Sequence, residues 1–174
     1  MGGNIANPKT YEVYSSVGFD YVRVGISSGS LVDKDKYGFH YPTGSLLGSI
    51  SSIKKSLKGR VKDVKVIADG GITCHSDILK AIALGADYVM MGGVFGKALE
   101  AAGPVLRNLY GEYYEAIPET VKSLFGKEKL YREYYGMSTK RAQAEILGKS
   151  LEESREKLKT SEGKIVILEI EYTL

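Results

Sequence analysis

The sequence predicts an α/β protein built on a parallel sheet. A motif occurs twice, "GFDYVRVG" over Gly18–Gly25 and "GADYVMMG" over Gly85–Gly92, with Gly-x-Asp-Tyr-Val-x-x-Gly in common. Each copy follows a helix-like segment. A further apolar run, "DVKVIADGG", lies between them, and all of these runs stop on glycine. Short continuous apolar strands alternating with amphipathic helices are the pattern of parallel strands covered by crossover helices.

Taken in order, "NPKTYEVYSSV" reads as a helix with Asn7 as N-cap and Pro8 at its first position. Gly18 ends it, and Asp20 opens a strand at about residues 20–25. Further strands are expected at about 64–69 and 87–91, separated by the helix "HSDILKAIAL" with Ser76 as its cap. A terminal strand is expected in "KIVILEIEYTL". After Gly103 the chain becomes dense in tyrosine, and "KRAQAEILGKSLEESREKLKTSEGK" then has the period of an exposed, solvated helix.

At 174 residues and 43% hydrophobic the chain has the length and composition of one ordinary domain with a real core. Its 24 basic and 21 acidic side chains are interspersed and leave a net charge of +3, too balanced to mark a nucleic-acid binder. A single cysteine, Cys74, excludes an internal disulfide and fits a reducing compartment. No apolar stretch approaches about 18 residues, and "MGGNIANPKTYEV" lacks a leader pattern. The expected location is the cytoplasm, with neither membrane nor nucleic acid as partner.

Chemistry points to the glycine-rich corners "GISSGS", "ADGGITCHSD" and "MMGGVFGKA" that follow the strands. Main-chain N–H groups at such turns, aided by a following helix, bind phosphate without basic side chains. Tight turns with no ligand are the plainer reading. Asp69 ends its strand just before paired glycines, where a carboxylate can accept hydrogen bonds from ribose hydroxyls; capping the following helix is its alternative role. Cys74 reads as a small buried thiol, His75 as a surface or capping residue, and His40 lies in the loop "KYGFHYPTGS"; no spacing suggests a metal site.

"GNIANPKTYEVYSSVGFDYVRVGISSGS", "VIADGGITCHSDILKAIALGADYVMMGG", "YYGMST" and "SEGK" resemble the second half of the catalytic barrel of the IMP dehydrogenase and GMP reductase family. The resemblance implies a partial (β/α)8 barrel, its C-terminal half, with about three to four parallel strands and their helices. Residues 1–174 would form this single partial domain, with 104–164 as a flap-like, Tyr-rich and charged insertion. Gly92-Gly93, "YYGMS" and "SEGK" lie closer to the reductases.

Carried over by resemblance, Ser30, Gly71, Gly92, Gly93 and Tyr134 would hold the 5′-phosphate of a purine mononucleotide, GMP or IMP, and Asp69 its ribose, with Gly70 a further nucleotide-binding residue. Gly136, Met137 and Ser138 would lie against the base. Glu162 would assist the departure of ammonia, with Ser161, Glu162 and Gly163 touching NADPH or NAD. The family's loop after the first corner reads Gly-Ser-x-Cys-Thr-Thr, whereas here Val32 stands at the nucleophile and Lys34 at the threonine paired with the carboxylate. Valine offers no lone pair, so the family's covalent route is closed at this position. The family also binds a monovalent cation through loop carbonyls. Gly29 and Val32 retain theirs, but Ser27 replaces a usual glycine, and no potassium is expected.

The resemblance therefore implies a GMP-reductase-like oxidoreductase without its nucleophile and without the first half of its barrel. The alternatives are a noncatalytic nucleotide-binding pseudoenzyme, a fragment of a split enzyme, an IMP-dehydrogenase-like protein, or a structural remnant. An exposed half-barrel would need either a second copy of the chain or a complementary N-terminal half-barrel.

Overall fold

In the computed structural model, which describes residues 1–26, 40–136, 139–146, 148 and 163–174, helix α1 (Pro8–Val17) begins where Asn7 and Pro8 place it. The Asn7 side chain accepts a hydrogen bond from Lys9 N at 3.0 Å. Gly18 ends the helix in the left-handed region at φ 89°, and the N–H of Phe19 closes back onto Tyr14 O. Gly85 has the same role after α3 (His75–Ala83), at φ 108°. Both repeat glycines are thus helix stops, as expected.

The described residues fall into two compact units, Met1–Met91 and Gly92–Leu174. In the first, β1 (Gly2–Ile5), β2 (Tyr21–Val24), β3 (Lys65–Asp69) and β4 (Tyr88–Met90) pair in chain order, all parallel. Helices α1, α2 (Thr43–Leu57) and α3 are the crossovers. The expected α/β class with a parallel sheet is therefore present. Strand β1 had no counterpart among the expected strands, because "GGNI" has almost no β-branched content.

Along β2 and β3, Val22, Val24, Val66 and Ala68 are buried and pack with Tyr11, Leu46 and Ile50. The alternate residues, Tyr21, Arg23, Ile67 and Asp69, lie on the opposite face, as strand geometry requires. Burying a side chain such as Leu46 contributes about 2 kcal/mol. Tyr11 is fully inside, and its hydroxyl donates to Val64 O at 2.9 Å.

The second unit carries a sheet of its own, which the sequence reading did not specify. Its sheet runs β6 (Glu112–Glu115), β5 (Leu106–Leu109), β7 (Leu130–Tyr135), β8 (Ile165–Glu169), entirely antiparallel. The terminal strand β8 therefore pairs with β7 and does not extend the parallel sheet. Between β5 and β6 a two-residue turn holds Tyr110 at φ 54° and Gly111 at φ 92°. Positive φ at both positions is the hairpin turn that matches strand twist. Short helices α4 (Gly93–Gly96) and α5 (Val121–Leu124) and the helix α6 (Lys140–Ile146) complete the unit.

No helix among the described residues is long and apolar enough to cross a membrane. Nor is any group of three or more His, Cys, Asp or Glu among them placed to hold a metal ion.

The two repeat aspartates differ in burial. Asp87 is about one-quarter exposed and accepts from Lys54 Nζ and Val66 N, each at 2.8 Å. Burial acts against both charges, yet their contact holds Asp87 below the usual carboxylate range and Lys54 above the usual amine range. Asp20 meets Lys62 at 2.7 Å on the open surface. Asp87→Ala is expected to lower stability by about 1–2 kcal/mol, since it leaves the buried Val66 N–H without its acceptor and Lys54 with Asp63 alone, at 3.2 Å. Asp20→Ala should leave the urea midpoint within error.

Candidate functional site

Parallel pairing brings the carboxyl ends of β1, β2 and β3 together, and three polar side chains meet there. Asp69, the last residue of β3, accepts at Oδ2 from Arg23 of β2 and from Asn4 of β1, both at 2.6 Å. Asn4 Nδ2 also donates to Gly25 O at 2.8 Å. The carboxylate is 19% exposed, enough to meet a ligand while its orientation is fixed by two partners. Asp69 therefore pins the strand ends to one another. Arg23 Nε is buried without a hydrogen-bond partner among the described residues.

Immediately after Asp69, Gly70 and Gly71 adopt φ 97° and 76°, conformations that residues with a Cβ rarely enter. The turn leads into α3, whose N-cap is Cys74, not Ser76. Cys74 makes no side-chain cap bond. Asp77 instead reaches back, accepting from Thr73 N at 3.2 Å and Thr73 Oγ1 at 3.1 Å. The backbone bond from Thr73, with help from the Cys74 thiol, holds the Asp77 carboxyl well down, at about 2. Cys74 is exposed, a correction to the buried thiol expected from sequence; its Sγ lies 3.3 Å from Asp77 Oδ2 and 3.1 Å from Ser76 Oγ. The cap position turns the thiol outward toward these polar atoms. His75, the first residue of α3, is exposed.

In the second unit, Gly92 and Gly93 form the start of α4, and β7 supplies Tyr134. A Cβ at Gly92 would land on Tyr134 Oη. Absence of a side chain at this position is therefore what admits the tyrosine. Two residues earlier, Arg132 is buried, and its guanidinium donates to Ala98 O at 2.6 Å and Leu99 O at 3.0 Å. Burial pulls its proton affinity down, with Glu100 opposing. After Gly136, Thr139 is buried and caps α6, its Oγ1 accepting from Ala142 N at 3.2 Å and donating to Gly136 O at 2.8 Å.

The expected site residues are thus distributed. Asp69, Gly70 and Gly71 stand at the carboxyl edge of the first unit; Gly92, Gly93, Tyr134, Gly136 and Gly163 belong to the second. Ser30, Val32, Lys34, Met137, Ser138, Ser161 and Glu162 lie outside the described residues. Sequence reasoning missed Asn4, Arg23, Arg132 and Thr139. Arg23 was visible only as a polar residue in a short apolar strand and Asn4 only as a polar residue among glycines, whereas Thr139 carried a readable signal as a Thr just before "KRAQAEI".

The model of the IMP dehydrogenase / GMP reductase domain matches residues 1–171. The chain is 30% identical to GMP reductase 2 of Mus musculus over all of its own length and 43% of that protein. It is 32% identical to a GMP reductase of Chromobacterium violaceum over 92% of the chain and 48% of the relative. Against GMP reductase 1 of Homo sapiens the identity is 37%, over 60% of the chain and 29% of the relative. The chain thus spans less than half the length of these relatives.

Gly92→Ala is expected to force Tyr134 aside and cost about 1–3 kcal/mol. Tyr134→Phe removes the overlapping oxygen and should recover most of that loss, giving a coupling of about 1 kcal/mol in a double-mutant cycle measured by urea unfolding. An NMR titration of the Asp77 carboxyl should show a midpoint near 2, against 3.8 for a free aspartate. Because this value is depressed, the capping interaction is complete above the unfolded value and is lost as pH falls through the folded one.

Proposed function

The chain belongs to the IMP dehydrogenase / GMP reductase domain family, and from that premise we propose that it binds a purine mononucleotide of the GMP and IMP class through a partial (β/α)8 barrel but does not itself turn it over. The observation that carries this reading is the Asp69 carboxylate, oriented by Arg23 and Asn4 at the carboxyl edge of a parallel sheet. Ligands of parallel α/β sheets bind at that edge. A carboxylate already oriented needs no rearrangement to accept the vicinal hydroxyls of a ribose.

The remaining assignments follow the family resemblance. By resemblance, Ser30, Gly71, Gly92, Gly93 and Tyr134 match the family's phosphate positions, and Gly70 is a further nucleotide-binding position. The base falls to Gly136, Met137 and Ser138. NADPH, or NAD, would supply the hydride chemistry when bound, with Ser161, Glu162 and Gly163 beside it. The reductase direction, GMP to IMP and ammonia, is favoured by relatives named GMP reductase. Attack on carbon 2 of the purine requires a thiolate, and Val32 stands at that position.

A second reading, an active enzyme completed by another polypeptide, is favoured by the sheet ends. β1 and β4 are the outer strands of the parallel sheet, and their outer edges have no strand partner among the described residues. Unpaired strand edges invite pairing. Complementary barrel strands, or a second copy of the chain, would fit them.

Calorimetry with GMP and IMP should show binding with a Kd below about 1 mM. Asp69→Ala should weaken it at least about tenfold, equivalent to about 1.4 kcal/mol. No GMP-dependent NADPH oxidation is expected from the unmodified chain. Absence of binding by a folded sample, or turnover without a cysteine at position 32, would overturn the proposal.

A further inference from the structure

At the opposite, amino-terminal edge of the parallel sheet lies a cavity of about 400 Å³. It is walled by the second half of α2, the turn leading into β3 and Gly85 before β4. That volume is within the range of small-molecule sites. Its apolar wall includes Leu57 and Val61, and its charged wall includes Lys54, Lys55, Lys58 and Lys62 against Asp63.

These lysines are not equivalent. Lys54 is engaged by Asp87 at 2.8 Å and Asp63 at 3.2 Å. Lys62 is engaged by Asp20 at 2.7 Å and by Gly18 O at 3.0 Å. Lys55 and Lys58 have no side-chain hydrogen bond or ion pair among the described residues. Lysines near a helix C-terminus also complement its dipole, but that role does not require a concave apolar wall beside them. Two uncompensated ammonium groups match the roughly −1.5 to −2 charge of a phosphate monoester at neutral pH. The apolar wall suits a flat ring rather than a bare ion.

We infer that this amino-edge cavity is a second ligand site, one that takes a small aromatic phosphate monoester with Lys55 and Lys58 as its charge contacts. It stands at the other end of the strands from Asp69, so it is independent of the nucleotide reading. Ligand seated here would brace the α2–β3 turn and the Lys54–Asp87 contact that ties α2 to β4.

Phenyl phosphate is the probe, titrated into the ¹⁵N-labelled full chain with amide shifts as readout. Saturable shifts are expected at residues 51–63 and at Gly85, with inorganic phosphate and benzyl alcohol each binding at least about threefold more weakly. In the Lys55→Gln/Lys58→Gln variant, whose circular dichroism should match the parent because both side chains are exposed, Kd should rise at least about tenfold. The inference is overturned by no saturable shift, by shifts confined to Gly25, Gly70 and Gly71, by an unchanged Kd in the double variant, or by equal affinity for inorganic phosphate. GMP titrated separately distinguishes the two sites: loss of GMP binding with phenyl phosphate retained sinks the nucleotide reading alone.

Discussion

Parallel pairing in one register is the constraint on which the site depends. Because Arg23 aligns with Gly3 of β1 on one side and Ile67 of β3 on the other, the ends of the strands project together, and Asp69 can be reached by both neighbours. The approach of β1 is close. A Cβ at Gly3 would lie 2.6 Å from Arg23 O, so only glycine permits it. Polar side chains at the ends of otherwise apolar strands would be a cost if unpaired; paired across strands, they become an oriented carboxylate with a fixed address.

The two ends of the first unit have different chemistry. At the carboxyl end, left-handed glycines and one pinned carboxylate form a neutral, hydrogen-bonding surface suited to sugar and phosphate. The amino end is built from charge: Lys54 joins Asp87 and Asp63, and Lys65 joins Asp63 at 3.0 Å. The core between them is supplied by alternate residues of the same short strands. In the second unit one buried arginine satisfies the carbonyls of Ala98 and Leu99, which fastens the segment after α4 to the strand that carries Tyr134.

Most of the first unit was legible in the sequence because its signals are local. Asn7-Pro8 starts a helix, Gly18 and Gly85 stop helices, and continuous apolar runs mark buried parallel strands. The strand β1 was not, since its glycines serve a close contact instead of a propensity. Nor was the Asn4–Arg23–Asp69 cluster, in which Asp69 lies 46 positions from Arg23 and 65 from Asn4 and meets them only through register. In the second unit the tyrosines hid strands that alternation alone would have suggested. "LRNLYGEYYE" folds as a hairpin whose turn uses Tyr-Gly in place of the commoner Asn-Gly. Cys74 is exposed although cysteine is usually buried, because a helix cap at the rim of a sheet faces solvent.

Crystals of the chain grown with GMP would show whether the Asp69 carboxylate receives the ribose. Ribose hydroxyls are expected on the Asp69 carboxylate, with Arg23 still in contact with it and no bond between carbon 2 of the purine and the protein. GMP seated elsewhere with Asp69 untouched, or joined covalently to a side chain of this chain, would contradict this expectation.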